Sequence, residues 1–344
     1  LTVSSLDTLS FNFRDLSQVF NKAVQARFIE NGNNQGKHVP IGFGVIFNAE
    51  PLLLTHTPRP KFIFNDGESK SVIRVKDRGI ILESSQYTVD LVNSTIELNE
   101  VPGGKITVDF EGIVKDGVWL NTSSLVLPYL IHTYVDQSIN IDTASLTSLP
   151  AYTIGLHLEG KEKTIDVIDR IVGKRGLWLF NRLAQFKVGL INEPEREGVS
   201  VTEDDIFEDT FTLKRMLLPI AGIRLGYHKN YSPGGDGLAG RLEVNPEYRD
   251  LLTKTESIVS LDNSDIQSTY PNAEVMQVSS LIVYESDAME EAEKILALYK
   301  QQRFIYSMES NTVPFSMNLA DSATIYYPAF GFEHGVQSKV IGIS

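Results

Sequence analysis

Apolar and polar residues alternate with a period of two through much of the first third of the chain. In residues 106–111 the apolar side chains take the even positions and the polar ones the odd positions, which predicts a strand with one apolar and one solvated face. Residues 72–75 and 80–82 flank an Asp-Arg-Gly turn and predict a hairpin. Because turn residues recur at short intervals, residues 37–123 are predicted to form a small β meander.

Three stretches have the spacing of amphipathic helices. Ser124 is placed to cap a helix over residues 125–139. Residues 164–174 have apolar side chains at helical spacing before Gly176, which predicts a helix that ends at this glycine. The strongest pattern covers residues 287–303, where acidic side chains occupy the first half, at the positive end of the helix dipole.

The remaining apolar runs are short and have the composition of strands. They lie at residues 177–180, 186–191, 211–217, 220–227, 304–309, 323–327 and 336–343. Residues 232–237 have the composition of a loop, and residues 245–272 are polar with weak periodicity. The pattern indicates an α+β fold in which β structure dominates, arranged as several small barrel- or sandwich-like units with a few packed helices.

These patterns divide the chain into four predicted segments. They are residues 1–36, the entry to a domain that continues upstream; 37–123, a small β domain; 124–217, an α+β domain; and 218–344, a β-rich, tube-like domain that includes the helix at 287–303. Leu1 opens directly on a strand-like stretch, and residues 340–344 resemble a strand without its partner. We therefore expect the sequence to be part of a longer chain.

The composition narrows the functional classes. The 344 residues include 44 acidic and 31 basic side chains, a net charge of −13, which argues against a protein that grips nucleic-acid phosphates. The absence of Cys excludes disulfides, Cys-ligated zinc, iron–sulfur clusters and a thiol nucleophile. No apolar run approaches the ~18 residues of a membrane-spanning helix.

Most of the negative charge lies in the second part of the chain, where residues 124–344 carry −11 of the −13. We call its densest stretch, residues 195–209, the acidic segment. Its carboxylates are Glu195, Glu197, Glu203, Asp204, Asp205, Glu208 and Asp209, and only Arg196 opposes them. Such a run is most often a solvated face or loop. The sharper hypothesis is a surface that repels another polyanion.

Motifs for catalysis and cofactor binding are mostly missing. No two of the six His lie within five residues of one another, and Gly36-Lys37 lacks the spacing of a phosphate-binding loop. No Gly-x-Ser-x-Gly elbow exists. Gly42-Phe43-Gly44 is interpreted as glycines that let neighbouring strands pack closely. We therefore predict no enzyme activity, no cofactor and no metal site.

Two alternatives remain open. Residues 203–205 could supply an acid and a base for glycosidic cleavage, which predicts a cleft with two carboxylates ~5–10 Å apart. Adjacent side chains point in different directions, however, and after Thr202 the same residues have the pattern of a capped turn. A receptor- or carbohydrate-binding module would display Trp119 or Trp178, but both lie beside apolar, strand-like residues, which favours core positions.

Several segments, in chain order, resemble those of bacteriophage tail-tip and baseplate hub proteins. Residues 36–48 read Gly-Lys-His-Val-Pro-Ile-Gly-Phe-Gly-Val-Ile-Phe-Asn, and residues 222–231 read Gly-Ile-Arg-Leu-Gly-Tyr-His-Lys-Asn-Tyr. The other similar segments are residues 75–80, 104–112, 164–189, 201–206, 327–331 and 340–343. Their order, rather than any one segment, carries the resemblance.

The resemblance implies a structural subunit of the virion, a hub-type protein that forms a homotrimeric ring at the distal end of the tail tube. Its implied partners are other copies of itself, the tail tube or distal tail protein, the tape-measure protein, and a tail fibre or tip protein. The ring would close the tube until host attachment and then let DNA pass during genome ejection. The implied location is the tail tip or baseplate, after assembly in the host cytoplasm. No catalytic residue is implied.

The charge is consistent with this role. A lumen lined by Lys and Arg would retard DNA by pairing with its phosphates, whereas an acidic lumen would let it pass. DNA would then be met only as a passing polyanion. We therefore expect the acidic segment, or another acidic stretch of residues 124–344, to face the lumen.

Overall fold

The structure is a computed structural model. It describes residues 2–5, 8–10, 16–24, 27–180, 185–195, 198–235, 237–240, 242, 245–310 and 317–343. Strand residues clearly outnumber helical ones within these ranges, which confirms the predicted α+β class with β dominant. The sheets are small and separate, and none of those described closes into a barrel.

A six-stranded antiparallel sheet, which we call the central sheet, is the largest. Its strand order is Gly155–Leu158, Ile41–Ala49, Ile106–Lys115, Ser69–Asp77 and Ile80–Ile81, and Val118–Trp119 also pairs with Ile106–Lys115. The predicted hairpin is confirmed, because Lys76 pairs with Ile81 and Asp77 with Ile80. The first strand in this order comes from beyond residue 123, so the sheet is completed by a segment remote in sequence.

A four-stranded antiparallel sheet packs on one face of the central sheet. Its strands, in spatial order, are Leu52–Thr55, Lys61–Ile63, Thr95–Leu98 and Tyr87–Asp90. The side chains of Ile46, Val108 and Phe110 meet Phe64 and Ile96 in the core between the two sheets. Even-numbered positions of the run 106–111 thus face this core, as their pattern predicts.

The opposite face of the same strand is not solvated, which differs from the prediction. Thr107 and Asp109 are buried. Leu242 and Leu252 pack against Phe47 and Ile80 on this side of the central sheet. The sequence pattern missed this cover because the covering residues lie more than 120 positions further along the chain.

The glycines of Gly42-Phe43-Gly44 allow close approach of neighbouring backbone, which confirms their interpretation. Gly44 has a φ of +70°, and a Cβ there would lie 1.7 Å from the carbonyl oxygen of Ile154. A Cβ at Gly112, on the next strand, would lie 2.1 Å from the carbonyl oxygen of Gly42. Side chains larger than hydrogen do not fit between these strands.

Helices pack against the central sheet where Phe43 and Leu156 lie. They are Ser123–Leu130, which continues as a π-helical turn over Ile131–Val135, Thr143–Leu146 and Thr164–Val172. The helix predicted over 125–139 therefore begins earlier and ends sooner. The helix predicted to end at Gly176 ends at Gly173, whose φ of +73° is the left-handed conformation that favours glycine.

The remaining strands form six small sheets in the described part of the chain. They are Thr2–Ser5 with Thr8–Ser10; Ala23–Val24 with Glu162–Lys163; Asn140–Ile141, Gln185–Leu190 and Gly176–Phe180; Val199–Val201, Ser322–Ile325 and Val336–Lys339; Thr212–Leu217 with Arg303–Ser307; and Ser257–Asp262, Gly222–Tyr227 and Val275–Ser279. Short 3₁₀ turns lie at Leu16–Asn21, Ser84–Gln86 and Glu203–Asp205.

The polar stretch 245–272 is regular in the structure although its pattern is weak. It forms the helix Pro246–Thr253, the strand Ser257–Asp262 and the helix Ser264–Thr269. Asn245 and Asn263 cap the two helices by accepting hydrogen bonds from backbone N–H groups. The longest helix, Glu285–Tyr299, begins and ends earlier than the predicted 287–303.

Candidate functional site

Two of the segments that resemble tail-tip and baseplate hub proteins meet on the face of the central sheet opposite to the four-stranded sheet. They are residues 36–48 and 222–231. Phe47 and Asn230 form a parallel β-bridge, and the backbone N–H of Tyr231 donates to the carbonyl of Phe47 at 3.2 Å. The side-chain amide of Asn48 donates to Oδ1 of Asn230 at 2.9 Å. We call this contact the Asn48–Asn230 junction. It joins strand Ile41–Ala49 to the segment that follows strand Gly222–Tyr227.

Asn230 fixes the path of the covering segment. Its Nδ2 lies 3.0 Å from each of the carbonyl oxygens of Leu251, Leu252 and Lys254. Its own backbone N–H donates to Thr255 at 2.8 Å. A buried amide with this many partners holds the end of helix Pro246–Thr253 against the central sheet.

An ion pair is buried beneath the junction. Lys76 Nζ lies 2.5 Å from Oδ1 of Asp109, and the same oxygen accepts the backbone N–H of Asn48 at 2.7 Å. The ammonium also lies 4.4 Å from the centre of the Phe47 ring, which contacts the tilted ring of His228 at 4.6 Å between centroids. Burial lowers the pKa of Lys76 from its ordinary value, and the Asp109 carboxylate acts in the opposite direction. Lys76 and Asn48 are thus both partners of Asp109, so this ion pair connects three strands of the central sheet.

His157 is buried on the same sheet without a hydrogen-bond partner for either ring nitrogen. The rings of Phe110 and Tyr231 contact it edge-on, and the nearest carboxylate oxygen, of Glu159, is 3.8 Å from Nε2. Burial lowers the pKa of His157 from 6.5 to about 3. The imidazole is therefore neutral in the folded protein across the whole range in which free histidine titrates.

We predict that this histidine makes the fold sensitive to acid. The folded protein keeps His157 neutral, whereas the unfolded chain binds a proton near pH 6.5, so stability is complete above that pH and falls as the pH drops towards 3. Lowering the pH from 7.5 to 5 should cost about 2 kcal/mol more in wild type than in His157→Leu. Denaturant unfolding at both pH values measures the difference. His56→Leu, at an exposed histidine, should leave the wild-type slope unchanged; equal slopes for all three proteins would contradict the prediction.

The acidic segment lies on the surface. Glu195, Glu203, Asp204, Glu208 and Asp209 are exposed and Asp205 is half-buried, while Glu197 lies outside the described residues. Within the described part of the chain none of these carboxylates forms an ion pair. Whether they face a lumen depends on neighbouring subunits, and that expectation stays a prediction.

The carboxylates of residues 203–205 have the geometry of a capped turn. Oδ2 of Asp205 accepts hydrogen bonds from the backbone N–H and the hydroxyl of Thr202, both at 2.9 Å, which lower the pKa of Asp205. A general acid for glycosidic cleavage needs the opposite, a raised pKa. The chemistry of this turn therefore favours the structural interpretation.

A second pair of carboxylates, those of Asp142 and Asp321, lines a polar cavity of about 320 Å³. Asp142 caps helix Thr143–Leu146 and pairs with Lys187 at 3.3 Å, and Asp321 accepts the backbone N–H of Asn318 at 2.7 Å. Both carboxylates therefore already accept hydrogen bonds from backbone N–H groups. Among the described residues no three His, Asp or Glu side chains are grouped so that they could hold a metal ion.

The two tryptophans do not form a stacking platform. Trp119 is half-buried, with Lys70 Nζ 3.6 Å from the ring centre. Trp178 is half-buried against Phe20 and Phe186, and its indole N–H donates to Asp169 at 2.6 Å. Both rings are thus partly covered by neighbouring side chains, which disfavours a role as an exposed platform for carbohydrate.

A large apolar surface lies on the two-stranded sheet of Thr212–Leu217 and Arg303–Ser307, which we call the ribbon. Cross-strand partners share a face, so Leu213 with Tyr306 and Met216 with Phe304 lie on one side. Leu213, Met216 and Phe304 are each about half exposed, at 46%, 50% and 49%. Phe330, at 59%, extends this face, since its ring contacts Tyr306. Patches of this kind mark interaction surfaces.

The solved structures similar to the chain include two from phage-related particles. A chain in the virion of a native gene transfer agent particle matches with a TM-score of 0.58 at 11% sequence identity, over 93% of this chain and 87% of that chain. The 43 kDa tail protein of prophage MuSo2 from Shewanella oneidensis matches 86% of this chain and 87% of its own, at 12% identity and a TM-score of 0.34. Neither a protein-family model nor a curated protein sequence matches. The chain therefore shares its fold with a protein of the gene transfer agent virion.

Proposed function

We propose that the chain is a structural subunit of a phage-type tail, located in the virion. The observation that carries the proposal is the fold, which matches a chain of a gene transfer agent virion over 93% of its length. The ordered resemblance to tail-tip and baseplate hub proteins supports it, because two of the similar segments build the Asn48–Asn230 junction. The role rests on contacts between subunits and requires no catalytic residue.

We further propose the position within the tail. The chain would be a hub subunit at the tail tip or baseplate, a homotrimer that closes the tube, holds the fibre or tip protein and lets DNA pass on ejection. Its neighbours would be the distal tail or tube protein and the tape-measure protein. The four-segment division of the chain belongs to this proposal, with residues 218–344 as the tube-like part. Among the described helices none is long and apolar enough to cross a membrane.

Electron cryomicroscopy of particles assembled from the genome that encodes this chain tests the proposal. The chain should be found in the tail, at the end remote from the capsid, and particles made without it should fail to deliver DNA. Density for the chain in the capsid, or its absence from purified particles, would contradict the tail role. Density along the whole tube would contradict only the tip position.

A carboxylate-based cell-wall hydrolase is the alternative, and substitution of Glu203 distinguishes it from the structural role. Glu203→Gln should leave any lysis of peptidoglycan or capsule by the purified protein unchanged, because residues 203–205 form a capped turn. Dye-release assays with wild type and Glu203→Gln measure this. Activity in wild type that the substitution abolishes would favour the hydrolase instead.

A further inference from the structure

The ribbon is incomplete as an isolated element. Within the described residues each of its two strands hydrogen-bonds only to the other, so the outer edge of each is open. Two-stranded sheets are marginal by themselves, and open edges are templates for another chain. The exposed face of Leu213, Met216, Phe304 and Phe330 adds an apolar surface beside these edges.

The ribbon is also basic. The side chains of Lys214, at the bulge of its strand, and Arg215 are exposed and have no ion-pair or hydrogen-bond partner in the described part of the chain. Arg215 pairs with Ile305, so its side chain lies on the face opposite to Leu213 and Met216. Arg303, by contrast, is paired with Glu193. A partner that docks along the open edge of strand Thr212–Leu217 meets the apolar face on one side and Arg215 on the other, so it should offer apolar contact together with carboxylates.

The same chain carries a surface of that description. The turn at residues 203–209, which we call the acidic turn, exposes Glu203, Asp204, Glu208 and Asp209 around Phe207, whose side chain is 49% exposed. None of these carboxylates has a cation partner within the described residues. The turn thus combines an apolar side chain with unpaired negative charge.

The acidic turn does not dock on its own ribbon. Ile206 forms a β-bridge with Ser310, and the backbone N–H of Phe207 donates to Glu309 at 2.9 Å, so the turn prolongs the end of the ribbon. No ion pair joins it to Lys214 or Arg215. The complementary surfaces can be brought together only by two copies of the chain.

We propose that the ribbon of one protomer binds the acidic turn of a second copy of this chain. The proposal rests on the proposed function and names the surfaces through which its subunits would assemble. A contact between two different surfaces is heterologous, so it repeats from copy to copy and closes into a ring when the rotation permits. It also gives the acidic turn a subunit partner, whereas the lumen hypothesis leaves it facing DNA.

A charge exchange tests the contact. In the ribbon variant Lys214→Glu/Arg215→Glu both interacting surfaces are acidic, and in the turn variant Asp204→Lys/Glu208→Lys both are basic. The turn variant leaves Asp205, which caps the turn, and Asp209, whose φ is +62°, untouched. Each variant alone should lose at least ~10-fold in self-association, and a chain that carries all four substitutions should assemble again, because at every contact its acidic ribbon then meets a basic turn.

Analytical ultracentrifugation at micromolar concentration gives the readout, with circular dichroism to show that both variants fold. The control variant Lys115→Glu/Lys161→Glu changes two exposed lysines outside the ribbon. It lowers the net charge by as much as the ribbon variant does and should assemble like wild type. A monomeric wild type, two-substitution variants that still assemble, or a folded chain with all four substitutions that stays monomeric would each overturn the proposal. If the chain is nevertheless found in tails, the structural role stands and the contact is made by another tail protein. If the exchange works but the chain is missing from particles, only the proposed function fails.

Discussion

Asp109→Ala is expected to destabilise the folded protein by about 3–5 kcal/mol, because it leaves the ammonium of Lys76 buried without its counter-charge. The backbone N–H of Asn48 loses its acceptor in the same substitution. Replacing both members, as in Lys76→Met/Asp109→Leu, should cost less than either single substitution, since no charge then remains to be desolvated. Denaturant unfolding followed by tryptophan fluorescence is suitable, because Trp119 lies on the central sheet.

An exposed ion pair on the same two strands supplies the matched control. Lys70 and Glu111 lie 3.1 Å apart, and their side chains are 42% and 21% exposed, so water screens them. Glu111→Ala should therefore cost less than about 1 kcal/mol. Similar losses for Asp109→Ala and Glu111→Ala would show that the burial of the first pair has no energetic consequence.

Gly44→Ala should be the second most damaging substitution, costing about 3–5 kcal/mol. The added Cβ meets the carbonyl oxygen of Ile154 at 1.7 Å, and the φ of +70° is itself unfavourable for a side chain. Relief requires strand Gly155–Leu158 to move away from strand Ile41–Ala49, which breaks the pairing at the edge of the central sheet. Thermal unfolding followed by circular dichroism would detect the loss.

Gly117→Ala separates the clash from the backbone strain. Gly117 has a similar φ of +78°, but nothing lies within 4 Å of the position of its Cβ. Only the conformational cost of about 1–2 kcal/mol should then be seen. If Gly44→Ala and Gly117→Ala lose the same stability, the close approach of the two strands is not the cause.

The local parts of the fold could be predicted because the responsible residues are neighbours in sequence. The hairpin around Asp77-Arg78-Gly79 depends on turn chemistry, and the helix Thr164–Val172 on apolar spacing within a few residues. The burial of the even-numbered positions of residues 106–111 also follows from their period of two. For such elements the pattern and the tertiary structure select the same conformation.

The predictions that failed concern positions whose environment is set by residues distant in sequence. Asp109 has the pattern of a solvated position, and only the segment after residue 230 makes it a buried one. The helix Pro246–Thr253 has little amphipathic pattern, because its main buried residue is Leu252 and the cap on Asn245 sets where it begins. The ribbon was predicted as strands, but its exposed apolar face could not be distinguished from a core-facing one without the structure.

The Asn48–Asn230 junction has a consequence for the order of folding during synthesis. Its two asparagines are 182 positions apart, so the first strands leave the ribosome long before their cover. At ~5–20 residues per second, roughly 7–28 s separate the completion of strand Ile106–Lys115 from the synthesis of Lys254. Until then Lys76 and Asp109 are hydrated rather than buried. The first strands of the central sheet are therefore made early, but a segment that is synthesised much later completes their burial.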